Sequence, residues 1–211
     1  MFRAYITNLG KYNEGALVGE WVDFPTTAKE MNEVMRRIEI GSTDEFGCPY
    51  EEFFITDYDI DIDGITRVLG EYENLELLNY LAARLEEMDK WDREKFEAAL
   101  SICDEANDAQ GLINLTYNLD SYIFYEGINS DYDIGYQYIE EGGYDTGTMG
   151  ILQNYIDYEA FGRDCRLEEK SAFVNGGYIC HDGSSFDEYF NGELDDIPDE
   201  YRLYDREEDA A

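Results

Sequence analysis

Residues 3–39, RAYITNLGKYNEGALVGEWVDFPTTAKEMNEVMRRIE, carry the signals that decide the fold of the N-terminal part. RAYITN (3–8) and ALVGEWVD (16–23) read as strands joined by the turn-rich KYNEG. Thr27-Ala28-Lys29-Glu30 then forms a capping-box pattern: the Thr27 hydroxyl can accept from the N3 amide, and Glu30 can reach back to the Thr27 amide. Met31, Val34, Met35 and Ile38 follow at helical spacing, which predicts a helix over about 27–39, ended by Gly41. Glu52 to Asp63 predicts another strand, so the first unit is a small sheet with one helix.

Beyond this stretch the period changes. Leu75, Leu78, Leu81, Ala82, Leu85 and Met88 form an apolar stripe, with Glu71, Glu73, Glu76, Glu86 and Glu87 mostly away from it. Phe96, Ala99, Leu100 and Cys103 form a second stripe, with Asp92 as its candidate N-cap. Two or three helices over about 71–117 are expected. From about residue 118 the chain is rich in Tyr and Gly. SYIFYEG predicts a strand, DYDIGYQYIEE and NYIDYEAFGRDCRLEE predict helices, and SAFVNGGYIC predicts a hairpin turning at Asn175-Gly176. The segment 187–211 has eleven acids and little periodicity, so its end is expected to fray. The expected class is α+β, an elongated array of three small domains: an N-terminal α+β domain (1–66), a central helical domain (67–117) and a C-terminal α+β domain with an acidic tail (118–211).

Charge is the anomaly of the composition. Fifty Asp and Glu face fifteen Lys and Arg, a net charge of −35 over 211 residues. Aromatics at 15%, nineteen Tyr among them, separate this chain from disordered acidic sequences, which are poor in such residues. The excess is spread along the chain: −9 in 1–64, −7 in 65–108, −9 in 109–170 and −10 in 171–211. Solubility needs a net charge of only about 2–8 for a small domain. Duplex DNA carries one charge per ~1.7 Å of axis, so this excess would match about 60 Å of duplex, more than a globule with a radius of gyration near ~17 Å displays along one line. A basic partner is implied, and direct contact with nucleic acid or a membrane surface is disfavoured by repulsion.

Cys48, Cys103, Cys165 and Cys180 are far apart and form no C-x-x-C pair, and MFRAYITNLG lacks the apolar core of a signal peptide. A cytoplasmic protein with free thiols is expected. Asp57-Tyr58-Asp59-Ile60-Asp61-Ile62-Asp63-Gly64 imitates the start of an EF-hand loop, but the twelfth position, which needs Glu, is Gly70. Under a strand period, Asp57, Asp59, Asp61 and Asp63 instead share one face, with carboxylates every ~6.8 Å, about twice the ~3.4 Å rise per nucleotide. An ordinary half-exposed strand has the same alternation. His181 is the single histidine; beside Cys180 on a strand it points to the opposite face, which makes the two poor catalytic partners. Fifty acids produce close carboxylate pairs by chance, so glycosidase-like pairs are uninformative. No phosphate-cradling loop or basic patch occurs, and neither a catalytic residue, a metal site nor a cofactor is expected. The competing class is an acidic structural or calcium-binding protein, favoured if divalent metal changes the fold; a carboxylate hydrolase would need a concave site.

Three segments give a family resemblance. AYITNLGKYNEGALVGEWVDFP (4–25), with Tyr5, Leu9, Tyr12, Gly15, Leu17, Gly19, Trp21 and Asp23, resembles the N-terminal signature of ArdA-type antirestriction proteins. YEGINSDYDIGYQYIEE (125–141) resembles that family's acidic antirestriction segment, and YIDYEAFGRD (155–164) its late helix. The resemblance implies an elongated three-domain homodimer. Its surface carboxylates would imitate the phosphates of bent DNA and occupy the DNA cleft of type I restriction–modification enzymes, at their methyltransferase and specificity subunits, so protecting incoming plasmid, transposon or phage DNA. The candidate carboxylates are Asp57, Asp59, Asp61, Asp63, Glu73, Glu76, Glu86, Glu87, Asp131, Asp133, Glu140 and Glu141. The acidic stretch after about residue 186 and the four cysteines have no match in the family pattern.

Overall fold

Strand β1 (Phe2–Asn8) runs between two antiparallel neighbours, β2 (Gly19–Asp23) and β3 (Phe53–Ile60). The computed structural model that shows this describes residues 1–142 and 146–204. Its chain divides into two units, one of residues 1–93, 104–117 and 187 onward, the other of 94–103 and 118–186. In the first unit, Phe2, Ala4 and Ile6 of β1 are buried, as are Met31, Val34 and Met35 of the helix between β2 and β3 (Ala28–Arg37) and Ile38 at its end. That helix opens with the expected box: Thr27 Oγ1 accepts from Glu30 N at 3.2 Å, and Glu30 Oε2 accepts from Thr27 N at 3.4 Å. The expected turn after β1 contains a short helix, α1 (Leu9–Asn13), because the Asn8 side chain accepts from Lys11 N and caps it. The helix Ala28–Arg37 is α2.

Short α3 (Ile65–Val68) leads to α4 (Leu75–Glu86), α5 (Lys90–Leu100) and α6 (Ala109–Tyr117). Leu75, Leu78, Leu81, Ala82 and Leu85 of α4 are buried as their spacing predicts. Asp92 is not the cap of α5: it sits inside the first turn, and Asp89 Oδ1 accepts its amide at 2.9 Å. Glu76, Asn79 and Asn114 are polar groups at 2%, 0% and 2% exposure, and each satisfies distant backbone. Asn79 Oδ1 accepts from Thr26 N at 2.6 Å, while its Nδ2 donates to Tyr201 O at 2.8 Å. Asn114 Oδ1 accepts from Tyr189 N and Phe190 N at 2.9 and 2.8 Å. Glu76 Oε1 accepts from Leu203 N at 2.9 Å and Tyr204 N at 3.2 Å. Residues 187–204 therefore belong to the first unit, whereas the sequence places them with the C-terminal part; Phe190, Ile197 and Leu203 are buried there. Residues 205–211 of the tail, with its expected frayed end, lie outside the described residues.

In the second unit β4 (Tyr122–Glu126), β5 (Ser171–Val174) and β6 (Gly177–His181) form an antiparallel sheet of order β4-β6-β5. The β5–β6 hairpin turns at Asn175-Gly176 with Gly176 at φ 89°, as its sequence predicts. Between β4 and β5 lie α7 (Asp131–Glu141) and α8 (Tyr158–Glu168). These helices cross backbone to backbone: a Cβ on Gly162 would overlap the Asp131 carbonyl and the Gly135 amide, and one on Gly135 would overlap the Tyr158 carbonyl. Beneath them Ile134, Tyr178 and Cys180 form a core to which Tyr125, Tyr138 and Cys165 add partly buried surface. Tyr138 and Tyr178 hydroxyls both donate to Glu169 Oε2, at 2.9 and 3.1 Å. Burial raises both phenol pKa values, helped by that carboxylate. All four cysteines are free. Cys180 is buried, whereas its neighbour His181 packs edge-on against Tyr122.

Two stability outcomes follow from these contacts. Gly162→Ala forces α7 and α8 apart and is expected to lower unfolding free energy by about 1–3 kcal/mol; an unchanged urea midpoint would show that the helix crossing is not tight. Glu76→Ala leaves two backbone amides without their acceptor and is expected to cost about 1–3 kcal/mol. Glu86→Ala, one face away on α4 and exposed, should lie within about 0.5 kcal/mol of the parent in the same titration.

Candidate acidic interface

The Asp57–Asp63 series begins as a ladder and then leaves the strand. Asp57 and Asp59 lie opposite Tyr5 and Arg3 of β1. A register slip at Tyr5/Ile6 leaves Thr56 as an extra residue, since Tyr5 faces Asp57 and Ile6 faces Ile55. Arg3 sits between Asp23 and Asp59, with contacts of 3.1 and 3.7 Å, and its guanidinium lies 5.1 Å from the Trp21 ring centre. The strand ends at Ile60, not Asp63. Ile62 turns inward to 2% exposure and Gly64 adopts φ 100°, so the chain reverses. Asp61 then meets the N-terminal ammonium at 2.6 Å and Arg93 at 2.7 Å. Burial alone would raise its pKa, but these two cations outweigh it and hold the carboxyl below the usual range. Asp63 is exposed in the turn. One straight row of four carboxylates is not formed, because only Asp57 and Asp59 remain on β3.

The other candidates divide by what their oxygens already hold. Glu73 Oε1 accepts from Gly70 N at 2.9 Å and shapes the entry to α4. Glu76 is buried against Leu203 and Tyr204, so it is a structural group and not a displayed one. Glu87 pairs with Arg84 at 2.6 Å. In the second unit Asp131 takes Arg166 in a two-pronged contact of 2.6 and 3.2 Å, which holds its carboxyl below the usual range. Asp133 Oδ2 accepts from the Ser130 hydroxyl at 2.6 Å and from the Asn129 amide at 3.2 Å, while Ser130 caps α7 by accepting from the Asp133 amide. Glu141 accepts from Gln137 at 2.7 Å and from Tyr125 at 3.1 Å. Asp63, Glu86 and Glu140 are exposed, and among the described residues no ion pair or side-chain hydrogen bond engages them. Asp57 is exposed and, among the described residues, accepts only from the adjacent Tyr58 amide, at 2.9 Å.

Local pairing cannot absorb the charge. If each of the fifteen bases neutralised one acid, thirty-five acids would still lack a counter-charge. The EF-hand-like residues do not converge, since Asp59 and Asp61 answer to Arg3 and Arg93. Among the described residues no group of three His, Cys, Asp or Glu side chains is placed to hold a metal ion. Sequence reasoning also missed exposed acids of α8, Glu159, Asp164 and Glu168, although their positions along a predicted helix were available. It missed as well that the two late segments of the family resemblance, on α7 and α8, make one body through Gly135 and Gly162. Their separation in sequence hides that contact.

No curated protein matches the chain. A family model described as "Antirestriction protein (ArdA)" matches residues 4–180, which takes in all but the ends of the two sheets and the whole α7–α8 pair. The chain belongs to the ArdA family of antirestriction proteins.

Proposed function

We propose that this antirestriction protein acts as a DNA mimic: its exposed carboxylates imitate duplex phosphates and occupy the DNA-binding cleft of a type I restriction–modification enzyme. Cleavage of incoming plasmid, transposon or phage DNA in the cytoplasm is thereby blocked. The observation that carries this is the excess of thirty-five acids over bases, present in every quarter of the chain and beyond the reach of internal pairing. A surface built to release counterions from a basic cleft needs many modest contacts and no central residue. The spread of Asp57, Asp63, Glu86 and Glu140 over both units has that character. No catalytic step is assigned to the chain; it inhibits by occupancy.

Self-association of two copies belongs to the same proposal. Residues 146–156, TGTMGILQNYI, contain no charged residue, yet Met149, Ile151, Leu152 and Tyr155 are 43%, 73%, 64% and 77% exposed. Two chains of −35 repel over most of their surfaces, and an uncharged apolar segment is where they can meet.

Inhibition of a type I enzyme should respond to carboxylates in number. Each of Asp57→Asn, Asp63→Asn, Glu86→Gln and Glu140→Gln is expected to weaken inhibition less than about fivefold. The four together should weaken it cumulatively and flatten its dependence on salt. Titrations at two salt concentrations, with folding checked by circular dichroism, test this. One carboxylate whose loss abolishes inhibition while its neighbours do nothing would favour a discrete site instead.

A further inference from the structure

Tyr132, Tyr136 and Tyr158 form an open cluster on α7 and α8 that a purely electrostatic role does not use. The rings of Tyr132 and Tyr136 lie 6.5 Å apart and only 13° from parallel, and Tyr158 approaches them at 5.5 and 5.6 Å. Tyr132 and Tyr136 are 51% and 47% exposed. Among the described residues no hydrogen bond engages any of the three hydroxyls, and no Lys or Arg lies over the rings. The helix crossing holds the cluster together, because Gly135 lets the Tyr158 backbone close against α7 between Tyr132 and Tyr136. Tyr132, Tyr136 and Glu140 recur every fourth residue, which puts an exposed carboxylate one turn beyond the rings on the same stripe.

Ring faces beside a carboxylate suit one cation above others. A guanidinium is planar and weakly hydrated, so it can stack on a ring while its fork of N–H groups reaches an acid. Among the described residues the chain satisfies its own arginines in this way three times and a lysine once, Lys11 lying 4.5 Å from the Tyr50 ring centre while pairing with Glu39. Arg84 lies 4.1 Å from the Tyr117 ring centre and pairs with Glu87. Arg3 lies over Trp21 beside Asp23, and Arg166 lies 5.6 Å from the Phe173 ring centre while holding Asp131. At Tyr132, Tyr136, Tyr158 and Glu140 the rings and the acid are present without the arginine.

We propose that these four side chains receive arginine side chains of the partner, so that the acidic surface selects arginine-rich over lysine-rich basic surfaces. This deepens the DNA-mimic reading and rests on it for the identity of the partner, but the preference itself is measurable without any restriction enzyme.

The test titrates hexa-arginine and hexa-lysine peptides, equal in charge, onto the full chain at about 150 mM salt, where unselective surface attraction is strongly screened. The parent should bind hexa-arginine about three- to tenfold more tightly than hexa-lysine. Tyr132→Leu/Tyr136→Leu should bring that ratio towards one, and Tyr132→Phe/Tyr136→Phe should preserve it. Glu140→Gln should weaken hexa-arginine binding more than hexa-lysine binding. If the double Leu variant loses its circular dichroism signal, Tyr132→Leu alone, at a half-exposed position, should still lower the ratio. Equal affinities in the parent, or an unchanged ratio in a folded Leu variant, would overturn the proposal. Failure of the mimic reading would appear elsewhere, as a parent protein that selects hexa-arginine yet does not inhibit a type I enzyme.

Discussion

Like charges fixed on one folded chain repel one another, and here thirty-five acids have no basic counterpart. Every stable feature must hold against that repulsion. Apolar burial supplies part of the opposition, from the buried sides of β1 and α2 and from the stripe of α4. The rest is polar and specific. Asn79 and Asn114 act as pieces of backbone, donating to and accepting from segments 53 to 122 residues away in sequence. Arginines are placed where one cation serves several needs: Arg3 bridges the outer strands through Asp23 and Asp59, and Arg166 ties α8 to the first turn of α7. Partly exposed pairs of this kind contribute little each, on the order of 1 kcal/mol. Their value lies in where they remove repulsion, at strand ends and helix crossings.

Local chemistry was legible in the sequence wherever the partners are neighbours. The Thr27–Glu30 box, the Asn175-Gly176 turn and the helix DYDIGYQYIEE all depend on residues within a few positions of one another, and all are found where the sequence predicts them. One error has the opposite character. Glu76 looks like one more acid on the wet side of α4, but its ligands are the amides of Leu203 and Tyr204, and nothing near residue 76 announces them. The strand through Asp57 runs only to Ile60 because Gly64 and the inward turn of Ile62 break an alternation that the letters continue to Asp63. The short α1 was hidden because KYNEG has turn composition, and only the Asn8 side chain makes it helical.

The candidate surface was legible in kind more than in detail. Composition fixes the sign and excess of charge, but it does not separate a carboxylate that faces solvent from one that caps, pairs or is buried. Among the twelve candidates, Asp57, Asp63, Glu86 and Glu140 are displayed, while Glu76 and Asp131 are engaged in holding the fold. The difference matters physically. A carboxylate already bound to Arg166 offers a basic cleft less than an exposed one, because forming the new contact would break an existing one. Under the mimic proposal, imitation of a duplex would be partial: charge density supplied throughout, with only a subset of acids able to pair outward.

Occupancy of the DNA site is the central claim, and competition measures it most directly. A type I restriction enzyme would be titrated with the purified chain while DNA cleavage is followed, first at fixed duplex and then with increasing non-cleavable duplex. The account predicts inhibition that saturates at a fixed ratio of inhibitor to enzyme and is relieved as duplex rises. Inactivation at far less than one chain per enzyme, or inhibition that excess duplex leaves unchanged, would contradict it.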